Sequence, residues 1–556
     1  MTERPVFSHG ALPRRKGNFY SAVDLQPILA RIPLMIPGLK KNETSSRDLV
    51  ALSRLMTALP AEDPEPYSQG PGTNPTIPAG YTYLAQFIDH DIGFFIAREL
   101  DNETGKTNRF AKRSIFFDLD CVYGEGPGAS KPLYVAGDGP DVCVKLLQGA
   151  EIKGSHVRDL PRKAATEGNS HQDAIIADPR NDDHMIISQI HASFIAFHNR
   201  AVDIWRQRDR ALSASALFDK ARETTRRHYQ WIVLWDFLAR ISGGTSQIFE
   251  ALGMTNIGGI PAPALRYYGS DRPAYVPGEF SLAAFRFGHS MVRPSYFLSD
   301  TVDGRSYSGR FPIIDKQGGD DLRGRRPIPR NWGLSWQFFF PYKLQPRRQL
   351  RQFGTGDFLG VPIWRTDANG HLVWTTMDGP QQSMAIDHEI TATLARLPDA
   401  PPQGMPENSL MLRDIVHCSY ANLASGQTLA TELGVPKVSP EDLAPSPDEM
   451  RRKGVTVSPK VWSDTPLFYY LLKEAETKQA GTCLGPLGRK IVIETFVGLL
   501  WNDPTSVLHA SPAWRPECEF GAVPGEPYTM SHFLNFALDL KQKPAGPWPP
   551  GAPRIA

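Results

Sequence analysis

Three consecutive ionisable residues, Asp89, His90 and Asp91, interrupt an apolar stretch at residues 83–95. Burying an unpaired charge is costly, so each of the three needs a partner. On a helix, Gln86 and His90 lie one turn apart on the same face, whereas successive side chains point about 100° apart. The three groups therefore face different neighbours, and an imidazole among acids suits proton transfer near neutral pH. A core histidine held by neighbouring carboxylates is the structural alternative.

Two further segments combine apolar surroundings with cationic side chains. The stretch around His289 also holds Arg286 and Arg293. A haem iron needs an axial imidazole and its propionates need cationic partners, so this segment fits a haem site as well as a buried helix with snorkelling arginines. Residues 178–184 place acids in the first turn of a predicted helix. Helix capping explains these acids, but it does not explain Arg180.

Length and composition limit the class of protein. The chain has 556 residues, of which 41% are hydrophobic and 22% are charged, as in soluble globular proteins. A net charge of +2 gives no indication of a nucleic-acid or anionic-membrane partner. No apolar run approaches the roughly 18 residues of a membrane helix. Residues 1–21 lack a standard secretory signal, and five scattered cysteines argue against a disulfide framework. We expect a cytoplasmic protein, or a secreted one without a standard signal peptide.

Hydrophobic periodicity predicts a mainly helical protein with little β-structure. Four helices are expected, over residues 182–205, 216–242, 465–476 and 488–501. A proline-rich loop is expected at 435–448. We expect one large domain over residues 46–542, an N-terminal arm over 1–45, and a proline-rich, poorly ordered tail over 543–556.

Four segments resemble, in the same order, those of the animal-type haem peroxidases, the peroxidase–cyclooxygenase superfamily. Residues 83–95 resemble the distal-histidine motif, and residues 285–289 resemble the proximal-histidine motif. Residues 114–124 resemble the calcium loop of the family. Arg180 precedes residues 191–200 by the offset of the family's catalytic arginine. Four ordered matches are far more specific than any single one.

The resemblance runs from about residue 75 to 540, and residues 423–427 and 494–501 resemble bacterial branches of the superfamily. It implies a peroxidase that uses hydrogen peroxide to oxidise an organic donor or a halide. A fatty-acid dioxygenase-like oxygenase and a non-enzymatic scaffold are the alternatives. Arg286 stands where cyclooxygenases and fatty-acid dioxygenases carry their radical tyrosine, which favours the peroxidase. The sequence does not indicate the donor or the oligomeric state.

The resemblance assigns a role to each side chain around a haem b group. His90 would be the distal base, and Arg180 would stabilise the charge that develops as the O–O bond breaks. Gln86 would hydrogen-bond the ligand or a water above the iron. His289 would be the axial iron ligand, and Arg286 could pair with a propionate.

The partner of the proximal histidine is also expected to be anionic. Counting back from residues 423–427, the family asparagine that hydrogen-bonds this histidine falls on Asp414. A carboxylate partner would give His289 imidazolate character and lower the redox potential of the iron. We therefore expect poor oxidation of chloride and a preference for bromide, iodide or thiocyanate.

Two acids occupy positions at which family members form esters with the haem. Asp89 matches the first position, and Asp183 matches a second that usually holds a glutamate. Two ester links are therefore the expectation for a haem b bound through Asp89 and Asp183. His184 stands where a myeloperoxidase-type enzyme has a methionine bonded to the haem, so that bond cannot form here.

The resemblance assigns Asp91 to a calcium ion. The expected ligand set contains only oxygen atoms, as a hard cation prefers: the side chains of Asp91, Ser114, Asp118 and Asp120 and the carbonyl of Phe116. Such a site would hold the helix at the residue next to His90. A polar turn without a metal is the alternative.

Overall fold

Long buried helices form the frame of the protein in this computed structural model. The structure describes residues 29–59, 72–93, 114–152, 155–166, 172–256, 261–268, 273–299, 310–314, 321–329, 332–343, 361–366, 372–377, 379–397, 405–511 and 513–555. The helices of nine residues or more in these ranges are α1 Ser46–Leu55, α2 Gly80–Ile92, α3 Met185–Arg208, α4 Ala214–Ile232, α5 Leu410–Tyr420, α6 Leu467–Gln479, α7 Pro486–Asn502 and α8 Met530–Leu538.

Shorter elements connect these helices. The short α-helices are Asp120–Tyr123, Ala239–Ile241, Ser246–Ala251, Gly278–Ser281, Gly426–Glu432, Pro440–Leu443 and Pro447–Arg452. The 3₁₀ turns are Lys131–Leu133, Pro179–Asp182, Ala284–His289, Trp336–Phe338, Ala392–Ala395, Pro459–Trp462, Val507–His509 and Cys518–Phe520, and one π turn spans Val233–Leu238.

The strands are short and form antiparallel pairs. They are β1 Thr73–Pro78, β2 Ser295–Phe297, β3 Arg310–Pro312, β4 Val361–Thr366, β5 Leu372–Met377 and β6 Gln382–Met384. β1 pairs with β6, β2 with β3 in the register Tyr296 to Phe311, and β4 with β5 in the register Trp364 to Trp374. The protein is 45% helical and 7% strand, which confirms the mainly helical prediction.

The central helix α3 fixes the position of α2 through aromatic stacking. Phe194 of α3 stacks on Phe87 of α2 with ring centroids 4.5 Å apart. One turn further along α3, Phe197 stacks on Phe533 of α8 at 4.2 Å. Such pairs add to the free energy of burial and restrict the relative rotation of the helices. The Phe87 contact therefore sets which face of α2 is turned away from α3.

A close backbone approach sets the start of α2. The amide of Gly80 donates to the carbonyl of Phe339 at 2.9 Å. A Cβ atom at Gly80 would lie 2.5 Å from the ring of Phe340, so only glycine fits at this point.

A buried carboxylate joins α2, α4 and α8. The helix predicted over 216–242 is found as α4, which continues through the π turn Val233–Leu238 into Ala239–Ile241. Asp236 lies in the π turn. This fully buried side chain accepts from the hydroxyl of Tyr81 at 2.7 Å, from Nε of Arg240 at 2.8 Å and from the amide of Met530 at 2.8 Å. The wider turn accommodates a polar hub that an uninterrupted helix would not reach.

Two predictions about proline-rich segments are wrong. The loop expected at 435–448 contains the short helix Pro440–Leu443 and the start of Pro447–Arg452. Each begins with a proline, and the side chains of Ser439 and Ser446 accept from the amides of Asp442 and Glu449. The tail expected to be poorly ordered packs back onto the molecule: the carbonyl of Pro550 accepts from the amide of Thr245 at 3.0 Å, and Ile555 is buried. Proline lacks a backbone donor, but its carbonyl remains an acceptor.

We predict that Asp236→Ala lowers the free energy of unfolding by about 3–5 kcal/mol, because it leaves the buried guanidinium of Arg240 without its carboxylate. Chemical denaturation followed by circular dichroism measures the change. The control is Asp219→Ala, which removes a carboxylate that is 58% exposed and should change stability by less than about 0.5 kcal/mol. Equal effects of the two substitutions would contradict a stabilising hub.

Candidate functional site

Three elements bring the predicted site residues together. Helix α2 carries Gln86 and His90 and packs against two 3₁₀ turns, Pro179–Asp182 and Ala284–His289. A Cβ atom at Gly288 would lie 4.0 Å from Cβ of Ala85, which places the end of the turn, next to His289, directly against α2.

Arg180 is fixed against the backbone of His90. Its Nη2 donates to the His90 carbonyl at 2.9 Å. Asp178, which is fully buried, accepts from Nη2 of Arg180 at 2.8 Å and from Nε at 3.1 Å, and it also caps the 3₁₀ turn. The sequence indicated a capping role for Asp178 but not this ion pair. An acid two residues before an arginine was the available signal.

His90 is buried, and its ring bonds to an amide. Nδ1 of His90 lies 2.8 Å from Oδ1 of Asn181, and Nδ2 of Asn181 lies 2.9 Å from Nδ1 of His191. Burial, assisted by the charge of Arg180, lowers the pKa of His90 to about 3. The imidazole is therefore neutral at physiological pH, as a proton acceptor must be. Asn181 was missed because nothing in its sequence position distinguishes it from a turn residue.

A second histidine orients Gln86. Nδ1 of His184 accepts from the amide of Ile187 at 3.3 Å, so the ring proton lies on Nε2. Nε2 then donates to Oε1 of Gln86 at 2.7 Å. The side-chain oxygen of Gln86 is therefore engaged by His184. The sequence had indicated only that His184 cannot form the methionine-type bond.

On the opposite side, Asp414 of α5 links two predicted residues. Its Oδ2 lies 2.7 Å from Nδ1 of His289, and its other oxygen accepts from Nη1 of Arg286. Nε of Arg286 also donates to the carbonyl of Ser281 at 3.1 Å. Burial alone would raise the pKa of Asp414, but the charges of His289 and Arg286 outweigh it and hold the pKa below its usual value. The structure therefore places Arg286 on Asp414, where the sequence had suggested a propionate partner.

These residues fit a haem group. Because Nδ1 of His289 donates to Asp414, its Nε2 carries the lone pair that an iron ligand needs. The nearby cationic groups of Arg180 and Arg286 act to lower the pKa of Asp89. Burial nonetheless raises the pKa of Asp89. A carboxyl group in this place suits contact with the edge of a flat ligand.

Asp183 presents a different arrangement. Its Oδ1 accepts from Nη2 of Arg325 at 2.6 Å, whereas its buried Oδ2 has no hydrogen-bond partner among the described residues. Burial raises the pKa of Asp183 to about 7 despite the charge of Arg325. One oxygen is thus held by an ion pair, and the other is buried without a hydrogen bond from the described residues.

The residues expected to bind calcium also lie together. Ligand oxygens of Asp91, Asp118 and Asp120 lie within 4.8 Å of one another. Burial, and then the charges of Asp118 and Asp120, raise the pKa of Asp91 well above its usual value. A bound cation would remove this repulsion, so the group fits a divalent ion with oxygen ligands.

Hydrogen bonds from backbone amides to side-chain oxygens stabilise the loop that carries these acids. Leu119 adopts a left-handed conformation at φ 62°, and its amide points to Oδ2 of Asp91 at 3.3 Å. The amide of Ser114 donates to Oδ2 of Asp120 at 2.8 Å, and the amide of Phe116 donates to Oγ of Ser114 at 2.9 Å. A non-glycine residue with positive φ is strained and is found often at functional sites.

Comparisons with known proteins show which family part of the chain resembles. Residues 73–318 match the family model of the animal haem peroxidases. Rat (Rattus norvegicus) thyroid peroxidase is 25% identical over 191 residues, which are 32% of this chain and 19% of that protein. The peroxidasin homologue pxn-1 of Caenorhabditis elegans is 25% identical over 136 residues, 24% of this chain and 10% of that protein. The chain thus spans less than a fifth of these relatives.

A solved structure shares the fold. Peroxidase A of Dictyostelium discoideum superposes with a TM-score of 0.52 at 16% identity, covering 91% of this chain and 88% of that chain. The chain thus shares its fold with this peroxidase, and residues 73–318 are similar to the animal haem peroxidases. Among the described residues, no helix has the length and apolar character to cross a bilayer.

Proposed function

We propose that the protein is a haem-dependent peroxidase that reduces hydrogen peroxide and oxidises a small donor. The observation that carries the proposal is the pairing of a neutral His90, with Arg180 fixed on its carbonyl, and a His289 bonded to Asp414. A proton acceptor beside a fixed cation suits cleavage of a peroxide bond. The match to the family model supports this assignment.

Each side chain of the site would have a separate role in the reaction with peroxide. Haem, held by His289, would supply the iron that accepts oxidising equivalents from peroxide. His90 would take a proton from the proximal oxygen of peroxide and return it to the departing oxygen, so that water leaves. Arg180 would stabilise the negative charge on that departing oxygen. Gln86, oriented by its bond to His184, would hydrogen-bond the ligand or a water above the iron.

The proximal charges bear on the choice of donor. A carboxylate partner of His289 lowers the potential of the iron and disfavours the oxidation of chloride. Arg286 shares this carboxylate, so its cation offsets part of the added negative charge. We therefore propose bromide, iodide, thiocyanate or an organic donor as the substrate oxidised. The alternative, a fatty-acid oxygenase, would need a radical tyrosine, and Arg286 occupies the position that the resemblance gives it.

We predict that the haem-reconstituted protein has a Soret band and reacts with hydrogen peroxide, and that His90→Ala slows this reaction by about 10²–10⁴ while keeping the band. Stopped-flow spectroscopy measures the rate, and a donor screen with chloride, bromide, iodide and thiocyanate measures the preference.

The matched control is His198→Gln, because His198 is equally buried but bonds to Tyr123 and to the carbonyl of Val144. It should leave the rate with peroxide unchanged. A wild-type protein without a Soret band would refute the proposal. Oxygen uptake with linoleate in the absence of peroxide would favour the oxygenase.

We propose further that the haem is linked covalently through Asp89. An ester forms when the carboxylate replaces a hydrogen of a haem methyl group, a two-electron oxidation for which hydrogen peroxide is the oxidant. After treatment with peroxide, we predict that part of the wild-type haem resists acid-acetone extraction and that Asp89→Asn makes it fully extractable. Asp183→Asn should change extraction less, because Arg325 already engages one oxygen of Asp183. Complete extraction from the treated wild type would contradict the ester.

We propose that the acidic cluster binds calcium through the side chains of Asp91, Ser114, Asp118 and Asp120 and the carbonyl of Phe116. Chelation should lower the free energy of unfolding by about 3 kcal/mol relative to calcium at 100 times its Kd. Thermal unfolding with and without chelator tests this. Asp118→Asn should abolish most of the difference, whereas Asp141→Asn, which alters a surface acid paired with Arg206, should retain it. Identical unfolding with calcium and with chelator would exclude the site.

A further inference from the structure

Asn181 lies between two buried imidazoles. Its Oδ1 is 2.8 Å from Nδ1 of His90, and its Nδ2 is 2.9 Å from Nδ1 of His191. Asn181 is fully buried, and the two histidines are each 1% exposed. The three side chains come from different elements: α2, the 3₁₀ turn Pro179–Asp182 and α3. An amide with both ends engaged by imidazoles in the core is costly to rotate.

The chemistry of an amide assigns opposite roles to the two rings. A primary amide accepts through its oxygen and donates through its nitrogen. With the oxygen towards His90, Nδ1 of His90 carries the proton and Nε2 carries the lone pair. With the nitrogen towards His191, Nδ1 of His191 is the acceptor. The tautomer of one histidine therefore determines the tautomer of the other.

We propose that Asn181 is a positioning residue for His90 and that His191 sets the direction of its amide. Hydrogen-bonded to Asn181, His90 keeps its proton on Nδ1 and presents Nε2 as a proton acceptor before any ligand arrives. Without this bond the imidazole can adopt the other tautomer, which has no lone pair on Nε2, or rotate about its Cα–Cβ bond. The inference rests on the proposed peroxidase function but adds residues to which the resemblance gave no role.

The same turn fixes His90 from two sides. The amide of Asn181 donates to the carbonyl of Asp178 at 3.0 Å, so the turn itself is closed. Arg180, the preceding residue, holds the carbonyl of His90, whereas Asn181 holds its ring. His191 is in turn packed edge-on against Phe87 of α2 at 6.3 Å. The backbone and the side chain of His90 are thus both held by the same turn, Pro179–Asp182.

Two haem ligands separate positioning of the base from general damage to the pocket. Hydrogen cyanide must lose its proton to a base when it binds ferric haem, whereas carbon monoxide binds ferrous haem without proton transfer. We expect Asn181→Ala to slow cyanide association by about 100-fold and to leave carbon monoxide association within about threefold. Asn181→Asp keeps an acceptor for Nδ1 of His90 and should restore cyanide association to within about threefold of wild type.

The control variant is Asn199→Ala. Asn199 is also a buried asparagine near α3's centre, but its amide bonds to the backbone of Leu146 at 2.8 and 2.9 Å. Its loss should reduce stability and leave the ratio of cyanide to carbon monoxide rates unchanged. An unchanged ratio in Asn181→Ala, or equal slowing of both ligands, would overturn the inference.

A measurement on the wild type covers the case in which Asn181→Ala does not fold. Long-range ¹⁵N–¹H spectra of the histidine rings report which nitrogen carries the proton, with His90→Gln and His191→Gln identifying the signals. We expect Nδ1–H for His90 and Nε2–H for His191, and the reverse pair would overturn the inference. If the wild type binds no haem, the proposed function fails, but the expected tautomers can still be tested in the haem-free protein.

Discussion

Three successive ionisable side chains on the buried helix α2, of which His90 and Asp91 are buried and Asp89 is half-buried, are the constraint on which the rest of the structure depends. None of the three can be taken from water without a partner, and their directions on the helix forbid a shared one. His90 is partnered by the turn at 178–182, and Asp91 by the loop at 114–120. Asp89 lies in the field of cations from both sides of the site. The helix is therefore stable in the core only when these distant segments are all in place.

On the proximal side, the buried group that needs partners is the carboxylate of Asp414. A carboxylate fully removed from solvent would be costly alone, and Asp414 is stabilised by His289 and Arg286 together. Arg286 therefore acts through Asp414, because its guanidinium and the ring of His289 use different oxygens of the same group. The imidazole gains a strong acceptor, but that acceptor carries less than a full uncompensated charge. An asparagine would orient the ring without either the charge or its counter-ion.

Sequence reasoning reached the fold class and four of the eight described helices of nine residues or more, because both depend on local patterns. The helix predicted over 488–501 is Pro486–Asn502, and the helix predicted over 465–476 is Leu467–Gln479. The proline-rich tail was misjudged because its order depends on contacts with segments far away in the chain, such as Thr245 and Glu526.

The site residues named from motifs are brought together, whereas the residues that hold them were not foreseen. Asp178, Asn181 and the pairing of His184 with Gln86 depend on the docking of a short turn against α2, which no local pattern encodes. Likewise, the sequence indicated Arg286 as a cation for a haem propionate, but it did not indicate that Arg286 pairs with Asp414. Residue types indicate which chemistry is available. Tertiary packing determines which of these side chains form hydrogen bonds or ion pairs with one another.

The segment from Asp178 to His184 shows why such a site leaves little freedom to its supporting residues. Its side chains bond in turn to different parts of the molecule: Asp178 to Arg180, Arg180 to the His90 carbonyl, Asn181 to His90 and His191, Asp182 to Arg162, Asp183 to Arg325, and His184 to Gln86. Pro179–Asp182 forms a 3₁₀ turn, in which each residue advances by a third of a turn, so a shift of one position would redirect the side chains of Arg180, Asn181 and Asp182 together. The segment can therefore move only as a unit. Because Arg180 and Asn181 belong to that unit, the cation and the orientation of the base are set together and before a ligand binds, which is what electrostatic preorganisation requires.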